Sequence, residues 1–138
     1  MRRFVSTVVT LLVLFMSGNS FAEERGNPIA ITFYESPRCK HCQNIKKELI
    51  PRLMQKYKDV VTLIERNTTQ EDALQEFIAL CEEYHANPLV PAFFVDLSHK
   101  EQYLFVGSDN IENNIFSLID DFLAEKRVNV RQKNVKKR

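Results

Sequence analysis

The chain has 138 residues, with 19 Lys and Arg against 18 Asp and Glu, three cysteines and no tryptophan. Charge is unevenly spread: residues 126–138 hold seven basic residues and no acid, Arg2 and Arg3 stand near the start, and residues 23–125 keep ten basic residues against all 18 acids, a net of −8. An acidic body argues against nucleic acid as a partner, and no apolar run reaches the roughly 20 residues a membrane anchor needs.

"MRRFVSTVVTLLVLFMSGNSFA", residues 1–22, reads as an export signal. Arg2 and Arg3 precede an apolar stretch from Phe4 to Met16, and Ser20 and Ala22 stand at the −3 and −1 positions of a cleavage after Ala22. There is no Cys at that point to carry a lipid. The expectation is a soluble bacterial protein, periplasmic or secreted, whose residues 23–125 form one domain with a single modest core. In such a compartment two of three cysteines can pair, and the third must be buried, free or intermolecular.

"PIAITFY" (28–34) is a short apolar run without clean alternation, as expected of a strand covered on both faces. From Lys40 the period becomes helical, with Ile45, Leu49, Leu53, Met54 and Tyr57 on one face. Pro51 lies inside that pattern and should kink the helix or split it. "VVTLIER" (60–66) reads as a second strand. The helix that follows is expected to be capped by Thr68 or Thr69 and to bury Leu74, Phe77, Ile78, Cys81 and Tyr84. A third strand is expected at Ala92–Val95, then a turn at "SHKE" and a fourth strand at "QYLFVG". The last helix, capped by Ser108 or Asp109, turns Ile111, Ile115, Leu118, Ile119 and Phe122 inward. The order β-α-β-α-β-β-α implies an α/β fold. Its first two strands are joined by a parallel crossover and its last two by an antiparallel turn, in a mixed four-stranded sheet flanked by helices. Residues 126–138 read as a solvated, disordered basic tail able to touch anionic lipid or an acidic protein.

"SPRCKHC" (36–42) places Cys39 at the end of a strand and Cys42 one helical turn on. The spacing suits half a zinc site, a small structural disulfide or a redox couple. Closed zinc needs four ligands, and Cys81, His85 and His99 are scattered. A bridge between residues three apart removes little entropy from the unfolded chain. Thiol–disulfide exchange is the usual use of C-x-x-C beside a βαβ pattern. Backbone N–H groups at a helix start favour the thiolate, and Arg38, Lys40 and His41 push the same way. Cys39 therefore reads as the exposed nucleophile and Cys42, deeper in the turn, as the resolving thiol. Cys81 reads as core.

"FYESPRCKHC", "EEYHANPLVPAFFV" and "YLFVG" before a helix resemble the thioredoxin superfamily in its short, glutaredoxin-like form, over about residues 28–125. The resemblance implies a thioredoxin fold, a redox-active Cys39–Cys42 disulfide, a cis Pro91 facing it, and a Val90 backbone offered to an incoming substrate strand. His41 before the second cysteine and the Val-Pro pair are DsbA-like features. Lys40 stands where DsbA-type periplasmic oxidants carry proline, and there is no room for their inserted helical domain. The family often carries a buried acid in the first strand that moves a proton from the resolving thiol; "AITFY" has none, and Glu35 is the nearest carboxylate. No dimerisation domain precedes the fold, which speaks against a disulfide isomerase of the V-shaped dimeric type, and a monomer is expected. Together these features imply an exported thiol–disulfide oxidoreductase that needs no metal or organic cofactor. Its partners are exported proteins with cysteines and a protein that recharges the site. The alternative is a binding protein of the same fold, using Cys39, Cys42 and His41 to hold a soft ion such as Cu(I).

Overall fold

The computed structural model describes residues 27–136, so the export signal expected at 1–22 lies outside the described residues. The elements run in the expected order: β1 (Ile29–Glu35), α1 (Lys40–Asn44), a π-helical turn (Ile45–Leu49), α2 (Ile50–Tyr57), β2 (Val61–Asn67), α3 (Glu71–Glu83), β3 (Ala92–Leu97), β4 (Glu101–Val106) and α4 (Ser108–Lys136). The sheet order is β2-β1-β3-β4, with β1 parallel to β2 and antiparallel to β3, and β3 antiparallel to β4. β1 is thus interior, which is why its sequence is apolar on both faces. Among the described residues no helix is long and apolar enough to cross a membrane.

Alternate residues of β1 enter two cores. Ile29, Ile31 and Phe33 pack with Cys42, Ile45, Leu49 and Leu53 and with Ile111, Ile115 and Ile119 of α4. On the opposite face, Tyr34 packs with Phe77 and Cys81 of α3 and with Ala92. Two helical segments and α4 therefore cover one face while α3 covers the other. Tyr57 and Lys56 at the end of α2 both donate to the Asp120 carboxylate at 2.8 Å, fastening α2 to α4. The β3–β4 connection puts Ser98 and His99 in the left-handed region (φ 55° and 57°). Asp96 accepts from the His99 N–H at 2.8 Å and holds that turn. Two left-handed central residues give a hairpin the twist its strands need.

The expectation for Pro51 is met, and three others are corrected. Pro51 splits the helix through the wide turn ahead of it, and the proline then sits in the first turn of α2, where a missing N–H leaves no intrahelical bond unmade. Neither Thr68 nor Thr69 caps α3: the cap position is Gln70 and makes no side-chain bond. Instead Thr68 Oγ1 donates to the Glu35 carbonyl, and Thr69 donates through N–H and Oγ1 to Asn67. The buried stripe of α3 is Ala73, Phe77 and Cys81, with Leu74, Ile78 and Tyr84 at its margins. Ser108 is the first residue of α4 rather than its cap, with Ile111 N–H bonded to the Gly107 carbonyl. Gly107 at φ 89° makes the turn out of β4 in a conformation that glycine adopts freely.

The basic segment is also not the disordered tail that its composition suggested. α4 continues without a break past Lys126 to Lys136. "KRVNVRQKNVK" contains no Gly or Pro to stop a helix, its Lys, Arg and Gln are good helix formers, and cations near the C-terminus interact favourably with the helix dipole. Residues 124–132 are all exposed, and Lys126 still reaches back to the body of the fold, donating to Ser98 Oγ at 3.1 Å.

Candidate active site

The chain leaves β1 through "SPR" and turns directly into α1, with the Cys39 N–H donating to the Ser36 carbonyl at 3.0 Å. Cys39 is the cap of α1 in an extended conformation, and its sulfur accepts from the Cys42 N–H at 3.0 Å. This is the orphan donor of a helix start, satisfied by sulfur. Cys39 and Cys42 are joined by a disulfide with Cα atoms 5.2 Å apart. Cys39 is half-buried, whereas Cys42 is wholly buried in the core shared by β1, α2 and α4. One sulfur of the bond therefore faces outward and the other inward.

The Val90–Pro91 peptide is cis, the isomer implied by the family resemblance, and the Val90 carbonyl oxygen lies 3.7 Å from Cys39 Sγ. Pro91 is buried and its carbonyl accepts from the Gly107 N–H at 2.8 Å, so the β4–α4 turn supports this loop. Among the described residues Val90 takes part in no backbone–backbone hydrogen bond outside the regular elements. Leu89 next to it is 61% exposed, one of the few large apolar side chains left open to solvent.

Arg38, Lys40 and His41 are all exposed, and none of them bonds to Cys39. The sequence brought them to the site, but their effect on the sulfur acts through space. Cys81 lies in the core on the far side of the sheet from Cys42, where its thiol donates weakly to the Asn87 carbonyl. Burial pushes the Cys81 thiol up, so it is held as the neutral thiol. Among the described residues no three His, Cys, Asp or Glu side chains gather as a metal site.

Sequence reasoning understated one pair. Glu35, the last residue of β1, is only 5% exposed and lies on the strand face that Phe33 and Ile31 share with Cys42. Lys46, four residues beyond Cys42, reaches it at 3.3 Å and also holds Glu65 at 3.0 Å. Burial pulls the Lys46 ammonium down, but hydrogen bonds to Glu65 and Glu35 outweigh this and raise it above the ordinary lysine range. The pair joins the cysteine-bearing helical segment to the end of β1. The parity of β1 could have revealed it, since Glu35 follows Ile31 and Phe33 at a spacing of two.

Among solved structures the chain is similar to thioredoxin O2 of Arabidopsis thaliana in its oxidised state, at 18% identity over 70% of this chain and 76% of that one, with a TM-score of 0.52. It is similar also to thioredoxin f2 of Chlamydomonas reinhardtii, at 18% identity over 72% and 82% of the two chains, with a TM-score of 0.51. The chain has a thioredoxin fold. No family model and no curated protein matches its sequence. Within a thioredoxin fold, Cys39 and Cys42 occupy the junction of the central strand and the helix after it, and the cis-proline loop comes up beside them from the neighbouring strand.

Proposed function

We propose that this protein is an exported thiol–disulfide oxidoreductase exchanging disulfides with protein thiols through Cys39 and Cys42. The observation that carries the reading is the asymmetry of the pair: a half-exposed Cys39 bonded to a wholly buried Cys42. A substrate thiolate can reach only the outer sulfur. Its attack forms a bond to Cys39 Sγ, breaks the Cys39–Cys42 bond, and leaves Cys42 with the electron pair. A second substrate thiolate then attacks the substrate sulfur of this mixed disulfide. The substrate becomes a disulfide and Cys39 leaves as a thiolate, so two substrate thiols lose two electrons and the pair gains them. Run backward, the same steps reduce a substrate disulfide.

Charge helps to set the balance. Arg38, Lys40 and protonated His41 stabilise a Cys39 thiolate, which exists only in the reduced form, and so shift the pair towards the oxidant side, in keeping with the DsbA-like features of the motif. The free backbone of Val90, ahead of Pro91, is the place for an extended substrate segment. The sequence of residues 1–22 supports export to the periplasm or beyond, where the substrates are other exported proteins with cysteines and a separate partner restores the pair. The exposed cationic end of α4 is suited to anionic surfaces.

The test equilibrates the protein in glutathione buffers of graded potential and traps thiols by alkylation. A midpoint near about −120 mV marks an oxidant and one near about −270 mV a reductase. Reduced Cys42→Ser should accumulate a mixed disulfide with a disulfide substrate through Cys39, and Cys39→Ser should form none. A mixed disulfide mapped to Cys81, or none in Cys42→Ser, overturns the assignment. Export is tested separately, by a mature N-terminus at Glu23 in a fractionated bacterial host.

A further inference from the structure

We propose that the segment this site accepts is acidic: an extended stretch of polypeptide carrying Asp or Glu beside its reactive sulfur. The inference rests on the redox reading above and adds to it the class of substrate. From Ser36 to Lys47 the chain carries Arg38, Lys40, His41, Lys46 and Lys47 and not one carboxylate, on a body whose net charge over residues 23–125 is −8. Within that segment Lys46 is held by Glu35 and Glu65, and farther off Lys56 pairs with Asp120 and Arg66 with Glu76 and Asp72. Arg38, Lys40 and Lys47 are exposed and, among the described residues, have no ion-pair partner.

Two of these unpaired cations flank the one sulfur that a substrate can reach. Neither makes a side-chain hydrogen bond that the fold uses. At physiological ionic strength the screening length is about 8 Å, so the charges beside Cys39, rather than the negative body behind it, decide the sign of the field there. The turn that supports the cis-proline loop carries the other sign in sequence: Asp109 stands two residues after Gly107, whose N–H is bonded to the Pro91 carbonyl. Acidic residues of an incoming segment therefore favour the Arg38–Lys40 side, with the segment's backbone against Val90.

The test uses three peptides that differ only in the two residues flanking a single cysteine, Glu, Ser or Lys, each supplied as its mixed disulfide with thiopyridine. Cys39 thiolate of the reduced protein attacks the peptide sulfur, the peptide–pyridine disulfide breaks, and thiopyridone leaves with the electron pair and is read by its absorbance. Cys42 then attacks Cys39, releasing the peptide thiol. The protein dithiol loses two electrons and the reagent disulfide gains two. At physiological ionic strength the Glu peptide is expected to react about tenfold faster than the Lys peptide. At about 1 M salt, where screening acts within about 3 Å, that ratio should fall towards one.

In the double variant Arg38→Glu/Lys40→Glu, both surface changes, the ratio should invert. Comparing Glu-to-Lys ratios between parent and variant cancels the intrinsic reactivity of each peptide and any change in the nucleophilicity of Cys39. A ratio unchanged by the charge reversal overturns the proposal while leaving exchange with the Ser peptide, and so the redox reading, intact. Failure of all three peptides to react overturns both.

Discussion

Replacing Lys46 by Met tests whether the cysteine-bearing helical segment is held to the central strand by an ion pair. Glu35 keeps only 7% of its side chain exposed, Lys46 keeps 29%, and 3.3 Å separates their charges. At an effective dielectric of about 20 their attraction is about 5 kcal/mol, most of which offsets the cost of withholding Glu35 from water. Removing one partner of a fully buried pair costs about 3–5 kcal/mol because the other is stranded. Lys46 is partly solvated, and its second partner Glu65 is half-exposed and loses little, which reduces the expected cost to about 2 kcal/mol. The ammonium is held above the ordinary lysine range, so its contribution is whole at pH 7 and is lost only as pH rises through that raised value.

The assay is urea unfolding of the oxidised protein at pH 7 for the parent, Lys46→Met, Glu35→Gln and the double variant. Glu35→Gln removes the buried charge together with its need for a counter-charge. Lys46→Met in that background should therefore cost only about 0.5 kcal/mol, a coupling of about 1.5 kcal/mol. Lys46→Met within about 0.5 kcal/mol of the parent, or strict additivity in the cycle, would refute the argument. In that case Glu35 draws its compensation from somewhere other than Lys46.

Cys81→Ala should cost on the order of 1 kcal/mol of stability and leave disulfide exchange untouched, because the sheet separates Cys81 from Cys42; lost exchange at intact folding would make it a third redox partner. Burial and the Glu76 carboxylate push the Tyr34 phenol well above its ordinary value, so the fold keeps it protonated where the unfolded chain begins to ionise, near about pH 10. Its contribution is whole below that pH and is lost above it. Unfolding curves taken between neutral and strongly alkaline pH should show a shallower decline for Tyr34→Phe, though not a flat one, since Tyr57, Tyr84 and Tyr103 are raised as well; identical declines would show that Tyr34 is not the group responsible. His41→Ser should lower the reduction potential of the Cys39–Cys42 pair, by about 20 mV for each kcal/mol of lost thiolate stabilisation. An unchanged potential would assign that stabilisation to Arg38, Lys40 and the backbone alone.

Most elements, and the positions of the cysteines on them, were legible because they depend on neighbours a few residues apart. The change from the apolar run at 28–34 to a helical period after Lys40 located Cys39 at a strand–helix junction, and helical spacing put Cys81 in a core. The end of the last helix was misjudged from composition. A run of cations looks disordered until its helix-forming residues are seen to continue a helix already nucleated by the packing of Ile111, Ile115 and Ile119. Strand order, by contrast, is a long-range property. That β1 lies between β2 and β3, and so brings Val90 within 3.7 Å of Cys39 across a separation of 51 residues, depends on which faces find partners when the whole chain condenses. The burial of Glu35 belongs to the same category: the charge of a carboxylate is written in one residue, but whether it meets water or Lys46 is decided by what packs above the strand.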